Sequence, residues 1–203
     1  YTSLANFIQR VNINLEALET LIFIGAFQFT GLQKNELLIQ AKLLYHKNKS
    51  NPTWQLLQEP IKSFSFPQLK RTEAEDAFDE LEYLGFPVTS SPFSLLQTKF
   101  RGEITTKDFL YHKDENTRLV GYLIALKPIQ IKSGLMYFGT WIDSQGDYFD
   151  SVHFPHSLQQ YPFQGSGCYL LLGTIQIEYE VPTLQVLKMA KLPYMADPRY
   201  HVK

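Results

Sequence analysis

Cysteine is almost missing from this sequence: Cys168 is the only one in 203 residues. No internal disulfide can form, and a lone thiol fits a reducing, cytoplasmic compartment. Long apolar runs are missing too. The stretch 18–29 falls short of the roughly 20 residues that a membrane-spanning helix needs, and Glu19, Gly25 and Gln28 interrupt it. The opening Tyr1-Thr2-Ser3 has neither the basic start nor the apolar core of a signal peptide. It lacks an initiator Met and begins in mid-pattern, so the chain is expected to be cut from a longer one. Charge of either sign is scarce, with 19 Lys and Arg against 20 Asp and Glu and a net of −1. Any contact with nucleic acid therefore has to come from a local patch.

Catalytic motifs are absent as well. There is no Gly-rich phosphate loop, no G-x-S-x-G elbow and no paired-carboxylate motif, so no catalytic residue is assigned. Asp143, Asp147 and Asp150 cluster at one turn, where aspartates usually serve their own hydrogen bonding. His153 and His156 flank Phe154-Pro155 without a Cys or carboxylate at ligand spacing, so no metal is assigned either.

What is present is a chain with 44% hydrophobic and 14% aromatic residues, enough for one large domain or two small ones. The first fifty residues read as helices. Asn14 can cap a helix whose apolar positions Leu15, Leu18, Leu21 and Ile22 recur at helical spacing, with Gly25 as its stop. Thr30-Gly31-Leu32-Gln33 reads as a capping box that opens a second helix, with Leu37, Leu38, Ala41, Leu44 and Tyr45 on one face. Residues 47–68 read as a linker punctuated by Pro52, Pro60 and Pro67. Thr72-Glu73-Ala74-Glu75 is another capping box. It starts a helix that buries Ala77, Phe78, Leu81 and Leu84 and stops at Gly85. Ser91-Pro92 suggests a short further helical turn.

Past residue 118 the period becomes extended. Strands are expected over 119–131, 135–142 and 148–154, then a short helix within 155–161, then strands over 167–179 and 183–190. Three strands, a helical interruption and two strands is the order of an OB-fold, a five-stranded Greek-key barrel. The fold class is thus α+β in several parts: a helical unit over 1–50, a linker with one helix (73–84) over 51–117, the OB-fold over 118–192 and a tail over 193–203. Charge follows these parts unevenly. Residues 1–50 carry 5 cations against 3 anions and residues 118–203 carry 7 against 6, while 51–117 carry 7 against 11.

Three segments carry a resemblance. Phe7-Ile8-Gln9-Arg10-Val11, then residues 15–22, then Gly25-Ala26-Phe27 resemble the helix-hairpin-helix region of bacterial DNA polymerase III alpha subunits. Leu84-Gly85-Phe86-Pro87-Val88-Thr89-Ser90-Ser91-Pro92-Phe93 is similar to a following segment of that family, with Ser91 where the family usually has His. Tyr137-Phe138-Gly139-Thr140-Trp141-Ile142-Asp143, then Gly146, then Val152-His153-Phe154-Pro155 looks like the hairpin of its OB domain. The matches occur in family order over most of residues 7–190. They imply the non-catalytic C-terminal region of a DNA-directed DNA polymerase. This stretch would hold no cofactor, since the parent's Mg²⁺ is held far upstream. Its partners would be DNA, the sliding clamp and other replisome subunits.

Candidate contacts follow. For duplex backbone they are the turn Thr30-Gly31 with Arg10, Lys34 and Lys42. For single strands, stacking on barrel aromatics nominates Tyr137, Trp141, Phe149 and His153, with Lys127, Lys132, Lys188 and Lys191 for backbone charge. Alternation puts Tyr137 and Trp141 on one side of their strand, opposite Phe138 and Ile142. It likewise puts Phe149 and His153 opposite Tyr148, Val152 and Phe154, and does not say which set fills the barrel. Thr53-Trp54-Gln55-Leu56-Leu57 sits where the family carries its clamp-binding peptide, although it lacks the leading Gln and ends in Leu. Two rival readings remain open: an anticodon-binding-like OB module that meets RNA, and a protein-only replisome scaffold.

Overall fold

The computed structural model describes residues 1–50, 71–178 and 180–200, which fall into two units. The first comprises Tyr1–Thr89 with Asp197–Lys203, and the second Ser90–Ala196.

In the first unit, α1 (Leu4–Arg10) begins where the Ser3 hydroxyl accepts from the amide of Asn6 at 3.1 Å. Helix α2 (Leu15–Phe23) is capped as expected by Asn14, whose side-chain oxygen accepts from Ala17 N at 2.7 Å. It ends in a Schellman motif. Gly25 (φ +79°) donates to the Ile22 carbonyl at 3.0 Å and Ala26 to that of Leu21 at 2.9 Å. Helix α3 (Lys34–Ser50) starts later than expected, and the Thr30–Gln33 capping box does not form. The Thr30 hydroxyl instead turns back to the Phe27 carbonyl at 2.7 Å, ending a short 3₁₀ turn over Gln28–Thr30. Glu36 then accepts from Gln33 N at 3.1 Å, so Gln33 takes the capping position. Leu4, Leu18, Ile22, Phe27, Leu37 and Ala41 form the core of these helices.

Helix α4 (Glu73–Leu84) carries the expected reciprocal box: Glu75 N donates to the Thr72 hydroxyl at 3.3 Å and Thr72 N to the Glu75 carboxylate at 2.6 Å. Gly85 ends it at φ +82°. Its buried side is Ala77, Phe78, Asp79 and Glu80, whereas Leu84, expected inside, is exposed. Both buried acids have specific partners, although Glu80 Oε1 is buried without one. Asp79 meets Arg71, Lys34 at 3.4 Å and Arg199 at 2.8 Å. Glu80 accepts from the amides of Val88 at 2.6 Å and Thr89 at 2.9 Å, which folds the segment after Gly85 against the helix.

The second unit is a closed five-stranded barrel in the order β1-β2-β3-β5-β4. Its strands are β1 (Asn116–Ile131), β2 (Gly134–Asp143), β3 (Tyr148–His153), β4 (Cys168–Glu178) and β5 (Val181–Lys191), with α5 (Pro155–Gln160) between β3 and β4. All neighbours are antiparallel except β3 and β5, and β1 pairs with β4 to close the circle. This is OB-fold topology, and the strands lie within a few residues of their expected limits.

The unit is wider than the 118–192 expected from the strand pattern. Residues 90–117 are built into it. Phe109, on a 3₁₀ turn over Thr106–Tyr111, is fully buried in the barrel core, its ring 5.7 Å from Phe149. Phe93 and Leu96 form a second cluster with Val120, Tyr122 and Cys168 on the outside of the strands, joined by Leu192 and Tyr194. Bridges Leu96–Tyr194 and Gly102–Leu119 fix both flanks. These apolar residues follow neither the helical nor the strand period, which is why the stretch reads as a linker.

Candidate nucleic-acid interface

The register of β2 against β3 sets which aromatics share a face, and burial shows which face is inside. Trp141 pairs with Phe149 and Tyr137 with His153. Trp141 and His153 have no exposed surface and Phe149 keeps 4%. All three therefore belong to the interior and cannot stack bases, which corrects their candidacy as a platform. Two small residues on the same face make the room. A Cβ on Gly139 would lie 2.7 Å from Trp141 Nε1 and 2.8 Å from Ser151 Oγ, and one on Gly121 would lie 2.8 Å from the Phe149 ring. Tyr137, on that face too, is half-buried with its ring 5.7 Å from Phe163.

Polar atoms in this interior are organised around Ser151. Its Oγ accepts from Trp141 Nε1 at 2.6 Å and lies 2.8 Å from His153 Nε2, with the Gly139 carbonyl at 3.3 Å. Nδ1 of His153 is buried without a partner. Burial lowers the pKa of this imidazole from 6.5 to about 4, so the ring is neutral near pH 7.

The outward set is the alternate one. Phe138 and Tyr148 are exposed, Tyr148 by 65%. Phe138 stands between Lys127 of β1 and Val152 of β3 in register. Thr140 and Asp150 are hydrogen-bonded at 2.9 Å between the rows of Phe138 and Tyr148. Ile142 is drawn into the Phe93–Tyr122 cluster, so the free part of this face runs from Tyr148 past Phe138 toward the β1–β2 turn. Lys127 and Lys132 are exposed on β1 and in that turn. Lys188 is exposed on β5 opposite Leu172, beyond the part of β5 that pairs with β3. Lys191, half-buried, spends its ammonium on the Gln164 carbonyl at 2.9 Å.

At the hairpin turn, Asp143 is structural. Burial works against its charge, but the amides of Thr106, Asp147 and Gln145 outweigh that and hold the carboxyl below its usual range. Those bonds measure 3.0 Å from Thr106, 2.9 Å from Gln145 and 3.0 Å from Asp147. Among the described residues no three His, Cys, Asp or Glu side chains gather as a metal-ligand group.

The duplex candidates fare differently from one another. Lys34 is buried, 3.0 Å from Asp76 and 3.4 Å from Asp79, so it is committed to an internal ion pair and does not face phosphate. The turn amides are also engaged: Gly31 N with the Gln28 carbonyl, Leu32 N with the Thr30 hydroxyl and Gln33 N with Glu36. Thr30-Gly31 is thus a self-satisfied turn. Arg10 is exposed with its guanidinium 5.1 Å over the Tyr1 ring, and Lys42 is exposed 3.6 Å from Glu19. The clamp-peptide candidates Thr53, Trp54, Gln55, Leu56 and Leu57 lie outside the described residues.

No family model matches the chain, and no curated protein does. Solved structures are similar at low identity. The second OB-fold domain of replication protein A from Methanococcus maripaludis is 10% identical, covering 41% of this chain and 86% of that one with a TM-score of 0.28. RecG bound to a three-way DNA junction is 16% identical, covering 91% of this chain and 26% of that one with a TM-score of 0.32.

Proposed function

We infer that this chain is a nucleic-acid-binding OB module that lays a single strand across the outer face of β1, β2 and β3. The observation that carries this is the outward row itself: two exposed rings, Phe138 and Tyr148, with Lys127 in register beside Phe138. Aromatic faces stack bases without regard to sequence, each worth about 1–3 kcal/mol, and a neighbouring ammonium can meet the phosphate between them. Asp150 on the same face opposes that charge, so binding by the isolated chain is expected to be weak.

The finer reading is the C-terminal region of a bacterial polymerase III alpha subunit, and it rests on the three ordered sequence matches. In that setting the barrel would hold template strand, Arg10 and Lys42 would be the remaining cations for duplex backbone, and residues 53–57 would reach the sliding clamp. The parent chain, not this stretch, would carry the nucleotidyl transfer. A protein-only scaffold is favoured by a different observation: Tyr83, Leu84, Phe86 and Val88 are all exposed around the end of α4.

Fluorescence-anisotropy titration with labelled single-stranded, duplex and primer-template DNA, and with single-stranded RNA, at two salt concentrations tests the reading. Salt-sensitive binding weakened about tenfold or more by Phe138→Ala or Tyr148→Ala is expected, from the stacking loss. Binding unchanged in both variants, or none at all, would sink the outer-face reading and favour the scaffold. Preference for RNA would favour the anticodon-like alternative.

A further inference from the structure

The outward row of β3 does not end at Val152. Alternation continues it from Tyr148, Asp150 and Val152 to Phe154, which is 40% exposed just before α5. Phe154 borders a pocket of about 320 Å³ lined also by Ser133, Pro155, His156 and Gln159. Ser133 comes from the β1–β2 turn and the others from the start and second turn of α5. Gly134 lets these two elements approach: it has φ +127°, and a Cβ there would already touch Pro155 at 3.3 Å. The α5 wall is held in place, since the Ser157 hydroxyl donates to the Leu187 carbonyl of β5 at 3.0 Å and Leu158 packs against the barrel core.

We propose that this pocket takes one unstacked nucleobase of a strand lying on the outer face, a deepening that rests on the single-strand reading above. It is an open depression lined mostly by exposed residues, so it offers one base a ring to stack on and polar groups at its rim without enclosing it. The lining matches the chemistry of a base. The exposed Phe154 ring offers a stacking face and Pro155 an apolar contact. The Gln159 amide, the Ser133 hydroxyl and the His156 ring offer both donors and acceptors, the set that a base edge requires. No carboxylate lines the pocket, and exposed Lys132 adjoins Ser133, where it can meet the attached phosphate.

The test follows the amide NMR spectrum of the whole ¹⁵N-labelled chain during separate titrations with the four nucleoside 5′-monophosphates, ribose 5-phosphate and inorganic phosphate. Saturable shifts at Ser133, Phe154, His156 and Gln159 are expected with nucleotides alone, weakened at least threefold in Gln159→Ala and Ser133→Ala variants whose remaining spectra are unchanged. No saturable shift there with any nucleotide would overturn the proposal. So would equal shifts with ribose 5-phosphate or inorganic phosphate, because the base would then contribute nothing. The oligonucleotide titrations on Phe138→Ala and Tyr148→Ala report separately on the outer face, so failure of that reading and failure of the pocket are distinguishable.

Discussion

Acidification should destabilise the barrel through His153. The ring has no exposed surface, and its neighbours Ser151, Trp141 and Phe163 carry no charge to stabilise an imidazolium. Protonation would also add a second buried N–H, while Nδ1 already lacks a partner. Burial lowers the folded-state pKa from 6.5 to about 4, so between those values the unfolded chain binds a proton that the folded chain refuses. The stabilisation is therefore complete above pH 6.5, declines as the pH falls, and is gone below about 4. At about 1.4 kcal/mol for each pH unit, the gap gives about 3 kcal/mol. Urea denaturation followed by tryptophan fluorescence, at steps from pH 7.5 to 3.5, measures it in the wild type and in His153→Leu. Other titrating groups are common to both chains, so the difference between the two stability curves isolates this ring. The wild-type curve should fall relative to the variant's by about 3 kcal/mol. Curves that stay parallel within about 0.5 kcal/mol would refute the reasoning and mean that the buried ring accepts a proton without cost.

Other perturbations reach the rest of the chain. Arg199→Ala removes the contacts to buried Asp79 at 2.8 Å and to Glu82 at 2.9 Å. With Arg71 and Lys34 still on Asp79, a loss of about 1–3 kcal/mol is expected in thermal or urea unfolding, and no change would mean the tail is not docked. Gly139→Ala forces a methyl against Trp141 and Ser151 and should cost about 1–3 kcal/mol by overpacking, seen as a lower urea midpoint. Burial pushes the Cys168 thiol up to about 12. A thiol reagent at pH 8 should therefore leave the native protein unmodified and react fully once it is denatured; rapid native reaction would show that the site opens.

The strand order was legible because each strand announces itself locally. Alternation over four to eight residues, Gly146 at the hairpin and Pro155 after β3 are short-range signals that tertiary contacts reinforce. The caps at Asn14 and Thr72 were legible for the same reason. What escaped was whatever depends on distant partners. Thr30 has the residue type of a cap and the right spacing to Gln33, but its hydroxyl found the Phe27 carbonyl first. Lys34 reads as a surface cation until Asp76 and Asp79, more than forty residues away, close around it. Phe93 and Phe109 have no periodic neighbours to mark them, so their role in two separate cores appears only when the barrel exists to receive them.

The phase of the aromatic strands is the instructive intermediate case. Alternation yields two complementary sets and no physical reason, on hydrophobicity alone, to prefer either as the inside. Size provides the missing criterion. A small closed barrel cannot fit a large ring at every inward position, so its interior alternates large with small. Read that way, Trp141 two residues from Gly139, and Phe149 and His153 on either side of Ser151, mark their face as interior, whereas on the opposite face Phe138 stands between Met136 and Thr140, and Tyr148 between the turn residue Gly146 and the charged Asp150. The same criterion relocates the candidate interface to Phe138, Tyr148 and Phe154. It also makes Trp141→Ala a poor test of binding, since that substitution would empty the core; Phe138→Ala removes a ring from the surface and leaves the interior intact.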